Sequence, residues 1–236
     1  MTDTLHIDDL GTVLGVWAHP DDEAYLSAAL MAAARDLGHR VVVATSTGGE
    51  AGGDGDVRLR ELTQSLAAVG VSEHHHLGFE DGLCGAVQAE VGMVAVLRLL
   101  RQVRPDTVLT FGPDGMTGHP DHVAVGGWVD RAWHVNGHRG RLLHATLTES
   151  FHRRWGPLSA ATGIWMPGAA PPSVPDDTVA LRVSVAGANA DRKFAALRAH
   201  ASQTDALRTR VGDGTFRQWW GAETFLQVAP VEGLAA

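Results

Sequence analysis

The 236 residues carry a formal net charge of −8 and are 44 % hydrophobic. That length fits one large domain over residues 1–236, able to bury about 70 % of its unfolded surface without staples. The acidic balance argues against the broad basic surface of a nucleic-acid binder, and the single cysteine, Cys84, excludes an intramolecular disulfide.

Taken in chain order, Gly11 to Ala18 is a short apolar run that predicts a buried strand. His19-Pro20-Asp21-Asp22-Glu23 follows, then an alanine-rich segment, Ala24 to Leu37, that predicts a helix closed by Gly38. Proline suits a first helical turn, and the acids suit the positive helix end. Arg40 to Thr45 predicts a second buried strand, and the glycine-rich loop Ser46 to Asp56 leads to a helix over Val57 to Val69. A strand around His74 to Leu77, a helix over Val87 to Val103 and a strand over Thr107 to Phe111 come next. His119-Pro120-Asp121-His122 opens another helix to about Asn136, followed by a strand over Leu142 to Thr148. The proline- and alanine-rich stretch Gly156 to Asp177 reads as a long surface excursion, followed by a strand over Thr178 to Val185 and a helix over Ala188 to Ala199. Strands alternating with helices predict an α/β architecture, a mostly parallel sheet with helices on both faces.

No run of about 18 apolar residues marks a membrane span. The first residues lack a basic n-region and an apolar h-region, so no signal peptide is expected and the cytoplasm is the default location. A homo-oligomer stays open.

The two histidine clusters share one layout: an apolar strand, then His-Pro-Asp, then a helix. Ligands in open α/β sheets bind beyond the carboxyl ends of the strands. If the two strands are neighbours, the clusters face each other. His19 and Asp22, three residues apart across a helix start, converge with His122 as three N/O ligands for a catalytic zinc with an open position. Such an ion lowers the pKa of water and polarises a carbonyl. The bland alternative is two helix caps.

Ala18-His19-Pro20-Asp21-Asp22-Glu23 resembles the first signature of the LmbE/PIG-L deacetylase family, and Gly118-His119-Pro120-Asp121-His122 resembles its second. Weaker matches run through Thr47 to Glu50, Arg60-Glu61, Gly78 to Asp81 and Lys193 to Gln203. The resemblance implies a Rossmann-like fold and zinc-dependent hydrolysis of an N-acyl group, often acetyl on a glucosamine, in a small molecule. Carried over, His19, Asp22 and His122 bind one Zn2+, Asp21 is the general base, His119 stabilises the oxyanion and Asp121 orients His119. Glu50 and Arg60 resemble family positions near the substrate, and Asp81 is expected there as a hydrogen-bond partner of sugar hydroxyls. Their plain readings are a loop acid, a solvated helix arginine and a turn cap. His200 and Gln203 match a family segment that packing also explains.

The chain departs from the family at Thr117, where some deacetylases carry a tyrosine that assists the transition state. His74-His75-His76 reads as strand rather than metal site, because neighbouring strand residues point to opposite faces. Trp219 and Trp220 read as packing before sugar stacking. Two further readings stand beside the deacetylase: an amidase cutting a larger acyl group from a sugar or thiol conjugate, and a non-catalytic sugar-binding protein. A nucleotide-binding oxidoreductase is disfavoured, since acids stand where its glycine-rich phosphate loop belongs.

Overall fold

The fold is described from a computed structural model covering residues 5–230. Strand β1 (Val13–Trp17) lies in the interior of a seven-stranded sheet. It pairs in parallel with β2 (Val41–Thr45) on one side and β4 (Thr107–Phe111) on the other. Both neighbours, like β1, are buried along their whole length, as the continuous apolar runs require. β3 (Glu73–His76) pairs with β2, and β5 (Arg141–Ala145) with β4, all parallel. β7 (Ala222–Gln227) then runs antiparallel to β5, and β6 (Leu181–Ser184) antiparallel to β7, completing the order β3-β2-β1-β4-β5-β7-β6. The expected α/β architecture holds, with an antiparallel pair closing one edge.

The expected helix over Ala24 to Leu37 is two helices, α1 (Asp22–Leu26) and α2 (Ala28–Asp36), broken at buried Ser27. The first amides of α2 are taken by a residue far away: Glu223 Oε1 accepts from Ala29 N–H and Oε2 from Leu30 N–H, each at 2.8 Å. α3 (Gly55–Ala68) is capped by Asp54, which accepts from the amides of Asp56 and Val57. α4 (Ala89–Val103) follows β3, the single turn α5 (Gly115–Gly118) follows β4, and α6 (Pro120–Val135) begins with Pro120 in its first turn and His119 as its cap.

The excursion expected from Gly156 begins later. α7 (Glu149–Thr162) carries the chain through Pro157, capped by Thr148 and ended by Gly163 at φ 72°. Phe151, Trp155 and Leu158, at i, i+4 and i+7, pack one face of it against the core. Only after Gly163 does the chain run without helix, up to a short turn at Asp176–Thr178. α8 (Gly187–Ala199), α9 (Ala201–Val211) and α10 (Asp213–Trp219) lead into β7. Among the described residues, no helix is long and apolar enough to cross a membrane. His74, at the sheet edge, is partly buried with Nε2 at 2.9 Å from Thr45 Oγ1, as a strand residue. Trp219 and Trp220 stack with ring centroids 5.3 Å apart, Trp219 in the core and Trp220 at the site described next.

Candidate metal centre

Because β1 and β4 are neighbours, the segments after them meet at the carboxyl edge of the sheet. His19 ends the first, and His122 sits one turn into α6, its ring stacked on Phe111 at 4.2 Å. His19 Nδ1 and His122 Nε2 lie 3.1 Å apart. Asp22 joins them, Oδ1 at 3.3 Å from His122 Nε2 and Oδ2 at 3.6 Å from His19 Nδ1. Zinc ligand bonds of about 2.0–2.2 Å in a tetrahedron put ligand atoms roughly 3.3 Å apart. The trio therefore has the spacing of a tetrahedral face.

Each member is held from behind. The His19 main-chain N–H donates to Asp22 Oδ2 at 2.8 Å. His122 Nδ1 lies 2.9 Å from the Gly115 carbonyl, which can only accept, so Nδ1 carries the proton and Nε2 presents its lone pair. Gly115 is at φ 65°, and a Cβ there would stand 2.8 Å from Val123 and 3.1 Å from His122. His19 Nε2 faces Asp81 Oδ1 at 2.9 Å and Asp121 Oδ2 at 3.2 Å. Burial disfavours charge on His19, but the bonds to Asp121 and Asp81 and the field of Asp22 outweigh it and raise its pKa to about 10. A positive charge is thus favoured at this spot. Burial and the fields of His19 and His119 hold His122 neutral, as a metal ligand must be. Four carboxylates (Asp21, Asp22, Asp81 and Asp121) meet one buried guanidinium, Arg58, so the donor set fits a divalent cation.

Asp21 stands at the same pocket with φ 125°, in a region that costs a non-glycine residue on the order of 1–3 kcal/mol. Glu23 secures it, accepting from the Asp21 N–H at 2.9 Å. Glu23 is fully buried, and Ser65 Oγ and His200 Nε2 each lie 2.7 Å from its Oε1. Burial and the neighbouring Asp22 raise Asp21 to about 7, against the pull of Arg58.

Of the residues expected beside the substrate, Asp81 lines the pocket while Glu50 and Arg60 do not. Glu50 accepts from the Asp81 N–H at 2.9 Å and so shapes the loop. Arg60 is exposed on α3. The buried arginine is Arg58, whose two terminal nitrogens donate to the Gly49 and Pro20 carbonyls at 2.6 Å and reach within 3.4 Å of Asp21 Oδ2. Gly49, at φ 75°, makes room, since a Cβ there would fall 2.4 Å from the guanidinium. The signal lay in the sequence: Arg58 is one turn before Leu62 and two before Ser65 and Leu66, the buried face of α3.

His119 also reaches the pocket, and its Nδ1 accepts from the Asp121 N–H at 3.2 Å. The expected orienting carboxylate goes elsewhere: Asp121 Oδ2 takes the Gly82 N–H and faces His19, and Oδ1 takes the Cys84 N–H. Burial, then the field of His19, lower the pKa of His119, which favours the neutral ring with its proton on Nε2. Nitrogens of His19, His119 and His122 also fall within 4.8 Å of one another, a second arrangement able to hold an ion. Thr117 Oγ1 lies 3.3 Å from His122 Nδ1. Cys84 is fully buried, and burial first, then nearby Asp121, pushes its thiol up to about 12, consistent with an inert residue.

The chain is similar to known proteins over most of its length. Residues 14–133 match the family model described as PIG-L, GlcNAc-PI de-N-acetylase. A 1D-myo-inositol 2-acetamido-2-deoxy-alpha-D-glucopyranoside deacetylase of Nakamurella multipartita is 34 % identical, over 83 % of this chain and 80 % of its own. The protein of the same description from Salinispora arenicola is 30 % identical, over 86 % of this chain and 79 % of its own. The N,N'-diacetylchitobiose deacetylase of Pyrococcus horikoshii has the same fold, with a TM-score of 0.62 at 20 % identity, over 95 % of this chain and 85 % of its own. With the matched region spanning both histidine clusters and the core strands between them, the chain belongs to the PIG-L family of GlcNAc-PI de-N-acetylases.

Proposed function

We propose that this protein is a zinc-dependent N-deacetylase of small glucosamine-containing conjugates, with His19, Asp22 and His122 as the ligands of one ion. The observation that carries the reading is the face formed by these three residues, 3.1–3.6 Å between donor atoms, with Asp21 in the same pocket. Zinc bound there supplies Lewis-acid polarisation of the amide carbonyl and lowers the pKa of an attacking water.

The protein groups do the rest. Asp21, tuned upward by burial, takes a proton from the attacking water and passes it to the leaving nitrogen as the C–N bond breaks. The products are a carboxylate and a free amine. Neutral His119 donates from Nε2 to the developing oxyanion. Asp81 and Asp121 hold the ring of His19, a carboxylate–histidine pairing that fixes its orientation. Arg58 keeps Asp21 facing the pocket.

The test is release of primary amine from a panel of N-acetylglucosamine conjugates by the zinc-loaded protein. Amine from at least one member is expected, and none from any member refutes the deacetylase. Alanine at Asp22 is expected to empty the metal site. Stoichiometric zinc in that variant after dialysis would transfer the third ligand position to His119.

A further inference from the structure

The pocket encloses about 500 Å³ and has two unlike sides. One carries His19, Asp21, Asp22, Asp81, His119 and His122. The other is built by Leu26, Leu147, Ile164, Trp165, Leu207 and Trp220. These six come from α1, the segment after β5, the segment after α7, α9 and the residue that follows α10. Leu26, Ile164, Trp165 and Leu207 are only partly buried. Apolar side chains from five separate segments thus converge on one concavity, and those from three of them remain partly open to water. Tyr25 stands at the join, its ring 4.8 Å from Trp220 and its hydroxyl within the field of Asp21 and Asp22.

Several polar groups beside the apolar side are already committed. Arg58 is spent on the Gly49 and Pro20 carbonyls, Asp81 on the Ala51 N–H and His19, and the Gln203 amide nitrogen on the Gly52 carbonyl and Ser202 Oγ. A polyol seated against the apolar side would lose hydrogen bonds to water and regain few, which is unfavourable for each buried hydroxyl. An alkyl or aromatic group there releases water from both surfaces.

We infer that the substrate is amphipathic, with an apolar group flanking the scissile amide and seated on the wall of Leu26, Leu147, Ile164, Trp165, Leu207 and Trp220. This rests on the deacetylase reading and departs from the inositol conjugate for which the relatives are named. The apolar group is either the aglycone of the amino sugar or the acyl chain itself. Both have the same chemistry at the wall, and two substrate series separate them.

In the first series the N-acetyl group is constant and the glucosaminide aglycone is methyl, hexyl, octyl or inositol. In the second, methyl glucosaminide carries acetyl, hexanoyl or octanoyl. Each methylene seated on the wall is worth up to about fourfold in kcat/KM. A rise of tenfold or more along the first series places the apolar group at the aglycone, and a rise along the second places it on the acyl side. Trp165→Ala and Leu207→Asn are each expected to cut the octyl-to-methyl ratio severalfold. The ratio is read within one protein preparation, so lower overall activity does not obscure it. Equal kcat/KM along both series, or ratios untouched by both variants, overturns the inference. Amine release from no member removes the deacetylase reading instead. Calorimetry with the unreactive octyl and methyl glucosaminides then decides the wall, since equal affinities overturn it and tighter octyl binding supports it.

Discussion

Lys193 is the only lysine in the chain, and it is fully buried. Its Nζ donates to Glu223 Oε1 at 2.8 Å and to the Tyr25 carbonyl at 2.7 Å. The same Glu223 carboxylate caps α2 through Ala29 and Leu30. Lys193→Met keeps the volume and removes the charge. Glu223 is then a buried carboxylate with two amide donors and no cation, a change that costs about 3–5 kcal/mol when one partner of a buried pair is lost. With an unfolding entropy near 2.1 cal/mol/K per residue, 236 residues give about 0.5 kcal/mol/K, so the melting temperature should fall by roughly 6–10 °C. Differential scanning calorimetry of Lys193→Met, Glu223→Gln and the double variant tests this. The double variant should recover part of the loss, because no uncompensated charge is left inside. A shift below about 2 °C for Lys193→Met, or strictly additive losses in the double variant, would refute the argument that the pair is electrostatically coupled.

Other perturbations separate the roles at the site. Asp21→Asn should retain zinc by atomic absorption while losing most turnover, and normal turnover would remove Asp21 as the base. His119→Ala should also keep its metal and lose about 10²–10³ in kcat, the usual cost of one oxyanion donor. Loss of metal in that variant would make His119 a ligand. The Glu23–His200 pair contributes a pH signature. Burial opposes the charge of His200, but Glu23 outweighs it and raises its pKa above 6.5. A group whose pKa rises on folding stabilises fully below its unfolded value and loses that stabilisation as pH climbs through the folded one. Melting temperature should therefore decline above about pH 6.5, and His200→Gln should flatten that decline. An unchanged profile would exclude His200 as its source.

How much of this was legible before folding follows from where each piece of information resides. β1, β2 and β4 are read within a residue or two because a central parallel strand must be apolar on both faces. The two histidine clusters are legible because strand, turn and helix are local, and only a shared sheet edge was needed to bring them together. Arg60 was expected at the substrate because a linear match cannot tell which side of a helix faces inward. Leu62 and Leu66 set that side, and it carries Arg58. α7 was obscured by Pro157, while its Thr148 cap and the spacing of Phe151, Trp155 and Leu158 were present all along.

The sequence by itself determined the alternation of strands and helices and the residue types at the two strand ends, since both follow from periodicity and local capping. Tertiary structure alone decided the break at Ser27, the place of β7 between β5 and β6, and the pairing of Asp121 with His19 rather than His119. The reason is the same in each case. The amides of Ala29 and Leu30 find their acceptor 193 or more residues away, and the ring of His19 finds its carboxylate 102 residues away. A buried polar group must be satisfied by whichever partner the packed chain brings within 3 Å or so, and no local pattern encodes which one that will be.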